Sequence, residues 1–271
     1  MAFNVLVLSP TMADVWFAGQ PTGVGTVKTA KEWCIDQGAD LCFNLAEFNM
    51  ANGLSCCEVV AQGRRISYGY GSYSDMLYIN EKNYCHGYSN GIKDNVVKLN
   101  HAKGGSRTRN GIGITTSGYV ILAQSSHKCT EKVFCESVLT FVKNKGHRVK
   151  LFLLQDGGGS TTGYSSRSKL IFNPEPDNVK KPDVQRKVAT IVCVKFKNLP
   201  VMTRPIYKNC SGTDVGILQM VLGGIEVDDS AGKLTKQRIT QAQAALGMVA
   251  DLQCGIASAL TYKKLGLTYN I

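Results

Sequence analysis

The run Gln155-Asp156-Gly157-Gly158-Gly159-Ser160-Thr161-Thr162 places a carboxylate, three glycines and three hydroxyls in succession. Three adjacent glycines weaken any regular element that contains them, so packing does not account for them. They allow a sharp turn with exposed backbone N–H groups, and such a nest can hold an oxyanion or a phosphate. Asp156 would supply charge at its start, with Ser160, Thr161 and Thr162 as hydroxyl donors just beyond. The plain alternative is a Gly/Ser turn between two strands.

A strand must deliver this run, and the apolar stretch Val149–Leu154 directly before it reads as one. Other strands are expected at 4–8, 39–43, 58–61, 65–68, 112–115, 119–124, 169–172 and 188–196. Apolar residues at Val133, Phe134, Val138, Phe141 and Val142 predict a helix over 130–145, and a second helix is expected at 29–37. The stretch 69–110 reads as loop, and a proline-rich loop runs through Pro182. Residues 198–205, from Asn198-Leu199-Pro200 to Pro205, read as a linker between a β-rich front and a helical tail. The expected class is α+β, a mixed-sheet domain over 1–199 followed by a small three-helix domain over 205–271.

Composition agrees with a globular chain: 271 residues, 44% hydrophobic and 19% charged. The first residues lack a basic n-region and a long apolar run, and no stretch approaches a membrane span, so synthesis in the cytoplasm without a signal peptide is expected. The ten cysteines include no CxxC pair and read mainly as reduced thiols, with Cys56, Cys57 and Cys85 the best placed for any disulfide. The net charge of +11 is uneven. Residues 205–271 hold Lys208, Lys233, Lys236, Arg238, Lys263 and Lys264 against Asp214, Glu226, Asp228, Asp229 and Asp251, leaving nearly all the excess on the front. A basic front favours polyanionic partners; without a helix-turn-helix, zinc-finger or aromatic RNA-binding pattern, nucleic acid is not expected.

Asp156–Ser160 followed by Phe172-Asn173-Pro174-Glu175-Pro176, and then the strand after Gln185-Arg186, resembles the phosphodiester glycosidase family. The likeness extends to Cys57-Glu58-Val59-Val60, Arg64-Arg65 and Arg109-Asn110-Gly111-Ile112-Gly113, and spans about residues 3–197 in order. The family's Asn-Gly-Gly-x-Phe element falls on Asn44-Leu45-Ala46-Glu47-Phe48, with both glycines replaced, and an Asp-Gly pair becomes Ser126-His127. The resemblance implies hydrolysis of glycosyl-1-phosphodiesters. It implies Asn44, Arg109 and Arg186 as substrate or phosphate contacts, with the Gly157, Gly158 and Gly159 amides, Ser160 and Thr161 as a second cradle.

Cleavage at an anomeric carbon needs stabilisation of an oxocarbenium-like centre and of the departing phosphate. Phosphate leaves readily, so cationic clamping matters more than a strong acid, and guanidinium forks are suited to it. Asp156 is the candidate nucleophile, base or cation-stabilising carboxylate, and Glu47 the second carboxylate. His127 is an alternative acid/base group, whereas His86, His101 and His147 show no zinc-ligand spacing. No cofactor is required. A divalent cation such as Ca²⁺ or Mg²⁺ could join a carboxylate beside phosphate donors, although no acidic cluster calls for one.

The tail resembles the three-helix peptidoglycan-binding domain at Asp214-Val215, Leu218-Gln219, Leu222, Gly232, Thr235, Ala242-Gln243, Leu246-Gly247 and Asp251. The two resemblances together imply a bacteriophage endolysin-like hydrolase, made in the host bacterial cytoplasm and acting at the wall after release. Its expected partners are a phosphorylated cell-wall glycopolymer and, through the tail, peptidoglycan. A non-catalytic sugar-phosphate or wall-binding protein and a virion adhesion component are the alternatives.

Overall fold

The computed structural model describes residues 3–19, 27–49, 51–68, 75–87, 90–99, 105–175, 184–249 and 255–270. In chain order the front holds β1 (Phe3–Leu8), β2 (Ala13–Gly19), α1 (Ala30–Asp36), β3 (Leu41–Asn44), β4 (Glu58–Ala61), β5 (Arg64–Tyr68), β6 (Asp75–Asn80) and β7 (Asn83–Gly87). It continues with β8 (Gly91–Lys93), β9 (Val96–Lys98), β10 (Asn110–Thr115), β11 (Val120–Ser125), α2 (Glu131–Asn144) and β12 (Val149–Leu154). Then come β13 (Gly163–Ser165), β14 (Leu170–Phe172) and β15 (Thr190–Phe196), and the tail adds α3 (Thr213–Leu222), α4 (Lys233–Ala245) and α5 (Ala259–Lys264). The fold is α+β.

Three sheets organise the front, with strand orders β1-β11-β10-β12-β8-β9, β14-β13-β3-β15-β2 and β5-β4-β7-β6. Every pairing is antiparallel. Alternation along the six-stranded sheet separates two cores. Phe3, Val5, Ile121, Ala123, Phe152 and Leu154 pack against Phe134, Cys135, Val138 and Val142 of α2. Leu6, Leu8, Ile112, Leu122 and Leu153 join the larger core, which also holds Phe17, Leu41, Phe43, Val192 and Val194 of the five-stranded sheet. Each fully buried aliphatic or aromatic side chain contributes about 1.5–3 kcal/mol. At one end of the layer between the sheets the apolar residues stop. The cross-strand neighbours Asn4, Gln124 and Asn110 take their place.

Both helices expected in the front are capped as their sequences suggest. Thr29 and Glu32 form a reciprocal capping box at α1, and the Thr130 hydroxyl accepts from the Val133 N–H at α2. The 69–110 stretch carries four short strands, β6 to β9, where loop was expected; 69–74, 88–89 and 100–104 lie outside the described residues. Of the proline-rich loop, 176–183 also lie outside, as do Cys254 and the matched Asp251. All nine described cysteines are free thiols. β2 and β13 are additional strands. β2 pairs with β15 along seven residues, from Thr190↔Gly19 to Phe196↔Ala13.

The 198–205 stretch is woven into the tail, not strung as a free tether. Met202 and Ile206 are fully buried. Met202 N–H donates to the Thr268 carbonyl at 2.8 Å, and Ile206 N–H to Ala257 at 2.9 Å. In the tail, Gln219 on α3 donates to the Ser230 carbonyl and the Thr235 hydroxyl, each at 3.0 Å. Gln243 on α4 repeats the device with the Ile256 carbonyl at 2.8 Å and the Thr261 hydroxyl at 3.1 Å. Each glutamine thereby ties its helix to the following loop. No described helix is long and apolar enough to cross a membrane.

Candidate functional site

β12 ends at Leu154, and the chain is gripped immediately afterwards. Gln155 N–H donates to the Asn110 carbonyl at 2.9 Å, and Asp156 N–H to the Leu45 carbonyl at 3.2 Å. The Asn44 side-chain amide donates to the Asp156 carbonyl at 2.9 Å. Asn44 is itself fixed inside a buried amide network. Its Oδ1 accepts from Gln124 Nε2 at 3.2 Å and from Thr162 N–H at 3.1 Å, and its carbonyl accepts from Asn110 Nδ2 at 2.5 Å. Gln185 Nε2 closes the network on the Thr162 hydroxyl at 2.6 Å and the Gly163 carbonyl at 2.8 Å. Asp156 thus leaves the end of β12 on a backbone held from both sheets.

The glycines are set by a second clamp. A Cβ at Gly157 would stand 2.5 Å from the Thr108 carbonyl oxygen, so only glycine allows this approach. Gly158 takes φ +65°, turning the chain into one short helical turn, Gly158–Ser160. Its N–H donates to the Thr108 carbonyl at 2.8 Å, and its carbonyl accepts from the Thr108 hydroxyl at 2.7 Å. Glu175 holds Thr108 from behind, accepting from its N–H at 3.1 Å and sharing with the Gly158 carbonyl the single proton of its hydroxyl, 2.9 Å away. Burial of Glu175 works against its ionisation, but Lys128 at 2.9 Å and the Thr108 bonds outweigh it and lower its pKa.

Around the Asp156 carboxyl stand Ser160, Arg186 and Glu47. Burial is the largest influence on its pKa, and the negative charge of Glu47 adds to it. The Ser160 hydroxyl, the Arg186 guanidinium and the Gly157 N–H oppose both, and the result is a pKa raised to about 7. Arg186 also donates to Ser160 Oγ at 3.4 Å. Cys56 lies at the same place: burial chiefly, then the charges of Glu47 and Asp156, raise its pKa, and its N–H donates to the Glu47 carbonyl at 2.7 Å. A carboxyl that gains and loses its proton near neutrality, beside a guanidinium and a hydroxyl, is equipped to bind an oxyanion and to act at an electrophilic carbon.

The sequence-selected residues divide. Asp156, Glu47, Asn44, Gly157, Ser160 and Arg186 are brought together. Arg109 is not: its guanidinium is engaged by Glu131 at 3.2 Å, the Cys129 carbonyl at 3.2 Å and the Gly105 carbonyl at 2.8 Å. Only its backbone reaches the site, where its Cα would lie 3.7 Å from a Cβ on Gly157. The amide cradle is narrower than expected, because the Gly158 N–H is spent on Thr108 and the Gly157 N–H on Asp156 itself. Gly159 is half-buried in the turn. Thr161 is fully buried, and its hydroxyl finds no partner among the described residues. His127 packs its ring at a tilt against Phe3, with centroids 5.2 Å apart, outside the cluster. Among the described residues no group of three or more His, Cys, Asp or Glu is placed to hold a metal.

Sequence reasoning missed Thr108, Glu175, Gln124, Gln185 and Cys56 as parts of the site. Asn110, Glu175 and Gln185 lay inside quoted motifs without a role. Gln124 was legible as a polar residue on an otherwise apolar strand face.

An α+β fold of stacked antiparallel sheets, with a carboxylate and glycine turn leaving the end of a central strand, is the class these observations define. No family model matches the chain, and no curated protein matches it. Among solved structures it is similar to the zebrafish N-acetylglucosamine-1-phosphodiester alpha-N-acetylglucosaminidase catalytic domain, auto-inhibited by its pro-peptide. That match has 14% identity and a TM-score of 0.53, covering 72% of this chain and 83% of that one. A hypothetical protein from Synechocystis aligns at 12% identity and a TM-score of 0.48, over 72% of this chain and 59% of that one. The likeness to the zebrafish domain is one of fold.

Proposed function

We propose that the chain is a hydrolase of the phosphodiester glycosidase type, cleaving a sugar-1-phosphodiester at the anomeric carbon. The observation that carries this reading is Asp156, with its pKa raised to about 7, bonded to Ser160 and within the field of Arg186 and Glu47. Arg186 and Ser160 bind the phosphate and stabilise it as it departs. Ionised Asp156 faces the electron-deficient anomeric carbon, as nucleophile or as the base for a water. Glu47 is the second carboxylate; burial chiefly, with the Glu47 charge adding to it, keeps part of the Asp156 population protonated near neutrality. A divalent cation is not needed by this scheme.

The proposed substrates are glycosyl-1-phosphodiester links in bacterial cell-wall glycopolymers. Residues 1–199 carry catalysis in this reading, and 205–271 retain the protein on peptidoglycan. The arrangement is that of a bacteriophage endolysin made in the host cytoplasm and acting at the wall after release. What supports this part is the tail's sequence pattern, whose two glutamines, Gln219 and Gln243, play matching roles. Co-sedimentation of the full chain with purified peptidoglycan, stripped of its phosphorylated polymers, tests the wall assignment. Failure to sediment at moderate salt contradicts it.

Release of free sugar from soluble sugar-1-phosphodiesters, read for the wild type and for Asp156→Asn, tests the catalytic assignment. The expected outcome is turnover in the first and a loss of at least about a hundredfold in the second. One observation favours a second reading, in which the chain binds sugar phosphates without turnover: Arg109 is committed to Glu131, leaving Arg186 as the guanidinium at the carboxylate. Phosphodiester binding with no sugar released decides for that reading.

A further inference from the structure

The tail is nearly neutral overall, yet its charges are segregated. Asp214 is paired with Arg204 at 2.6 Å, Asp229 with Lys145, and Asp228 accepts from Gln219 at 2.7 Å. Glu226 lines a separate cavity beside Phe3, Val5 and α2. Half of the tail's basic residues gather elsewhere. Lys208, Lys233 and Lys236 border one open groove of about 640 Å³, completed by Gln237, Thr240 and Gln241. Among the described residues no carboxylate lines it, and none of the three lysines enters an ion pair. Two of them stand in the first turn of α4, which holds no acidic residue, so their charge adds to the positive end of the helix. That accumulation is unfavourable in the free protein and is relieved by an anion.

Two exposed apolar side chains are carried on backbone close to the groove's lining residues. The backbone at Gly255 lies against the Lys236 stem and the Thr240 hydroxyl, where a Cβ would come within 2.5 and 2.9 Å. The bridge Ile206↔Ala257 sets Tyr207 beside Ile256, and these are 56% and 38% exposed. Tyr207 directly precedes Lys208. An exposed aromatic residue adjacent in the chain to a lysine of the groove suits a ligand that alternates sugar or polyol units with phosphates.

We propose that this groove binds a linear glycan or polyol polymer linked by phosphodiesters, with Lys208, Lys233 and Lys236 on successive phosphates and Tyr207 with Ile256 under the intervening units. It would hold the polymer whose glycosyl links reach the Asp156 site, and it rests on the proposed function only for that identity. Nucleic acid is the disfavoured polyanion. The patch is short, holds no arginine fork, and offers one exposed ring where a strand of bases needs several.

The test is binding of a glycerol-phosphate oligomer to the full chain, with a single-stranded oligonucleotide of equal phosphate count and inorganic phosphate as further probes. The wild type and Asp156→Asn are expected to bind the oligomer equally. A triple variant, Lys208→Ala with Lys233→Ala and Lys236→Ala, is expected to bind at least about tenfold more weakly, since exposed charge contacts are individually modest. Gln237→Lys is expected to strengthen binding and shift it to higher salt, a gain that does not depend on the triple variant folding. Unchanged affinity in the triple variant overturns the proposal, as does tighter binding of the oligonucleotide or loss of binding in Asp156→Asn. Because binding is read without turnover, an inactive enzyme leaves this result standing.

Discussion

Asp156 is half-buried, and its environment makes ionisation difficult: burial and Glu47 together outweigh Ser160, Arg186 and the Gly157 N–H. Two pH dependences follow from a pKa raised from 3.8 to about 7. The folded state holds the proton more tightly than the unfolded chain, so the stabilising effect is complete below pH 4 and is lost as pH rises through about 7. Asp156→Asn removes that loss. Denaturant titrations should show the variant gaining on the wild type between about pH 4 and 7, by at most about 1.4 kcal/mol per unit, reduced by partial exposure. The rate should move in the opposite sense if the ionised carboxylate acts, about tenfold faster at pH 8 than at pH 6 for a group of this pKa. A rate that falls across the same interval would make Asp156 a proton donor. Arg186→Ala should weaken phosphodiester binding by about 1.5–3 kcal/mol while sparing neutral sugars; calorimetry on both ligands checks it. At this scale the carboxylates, Ser160 and Arg186 were legible because their types announce chemistry. The commitment of Arg109 to Glu131 was not, since an arginine's sequence neighbours do not reveal which way its long side chain turns.

The glycine turn depends on elements far from it in sequence. Thr108, just before β10, bonds both the N–H and the carbonyl of Gly158, and Glu175, just after β14, holds Thr108. Gly157→Ala would drive a methyl group against the Thr108 carbonyl, and we expect a loss of about 1–3 kcal/mol in thermal or denaturant unfolding, with reduced turnover. An unchanged midpoint would mean that the clamp yields freely. The strand before the glycines and helix α2 could be read from sequence because periodicity and caps agree there. The strands β8 and β9 could not: each has three residues, and β9 buries none of them fully. Their hairpin is made instead by Asp94 and Asn95, both at positive φ, a local turn signal within a stretch of little period.

At the scale of the molecule the tail is docked on the front. Ser165 and Ser168 donate to the Val221 and Leu222 carbonyls at the end of α3, each at 2.8 Å. Arg238 on α4 reaches back to the Ile171 carbonyl at 3.3 Å, and Arg167 donates to the Gly266 carbonyl at 2.8 Å. Val215, Leu218, Val221 and Leu222 belong to the same core as Leu41 and Phe43. A chain ending near Leu199 would expose these front-facing groups, so its unfolding midpoint should fall by several degrees against the full chain, with a rise in apolar dye binding. Equal midpoints would mean that the contacts add nothing to the front's stability. The change from strands to helices near residue 200 was legible in the sequence. The docking was not, because alternation shows which residues are buried but not which surface covers them.

The central claim is attack at the anomeric carbon by a site built on Asp156. Hydrolysis of a sugar-1-phosphodiester in ¹⁸O-labelled water reads the bond broken. The account predicts label in the sugar hydroxyl, none in the released phosphomonoester, and product from Asp156→Asn formed at least about a hundredfold more slowly. Label in the phosphate, or undiminished product from that variant, would contradict it.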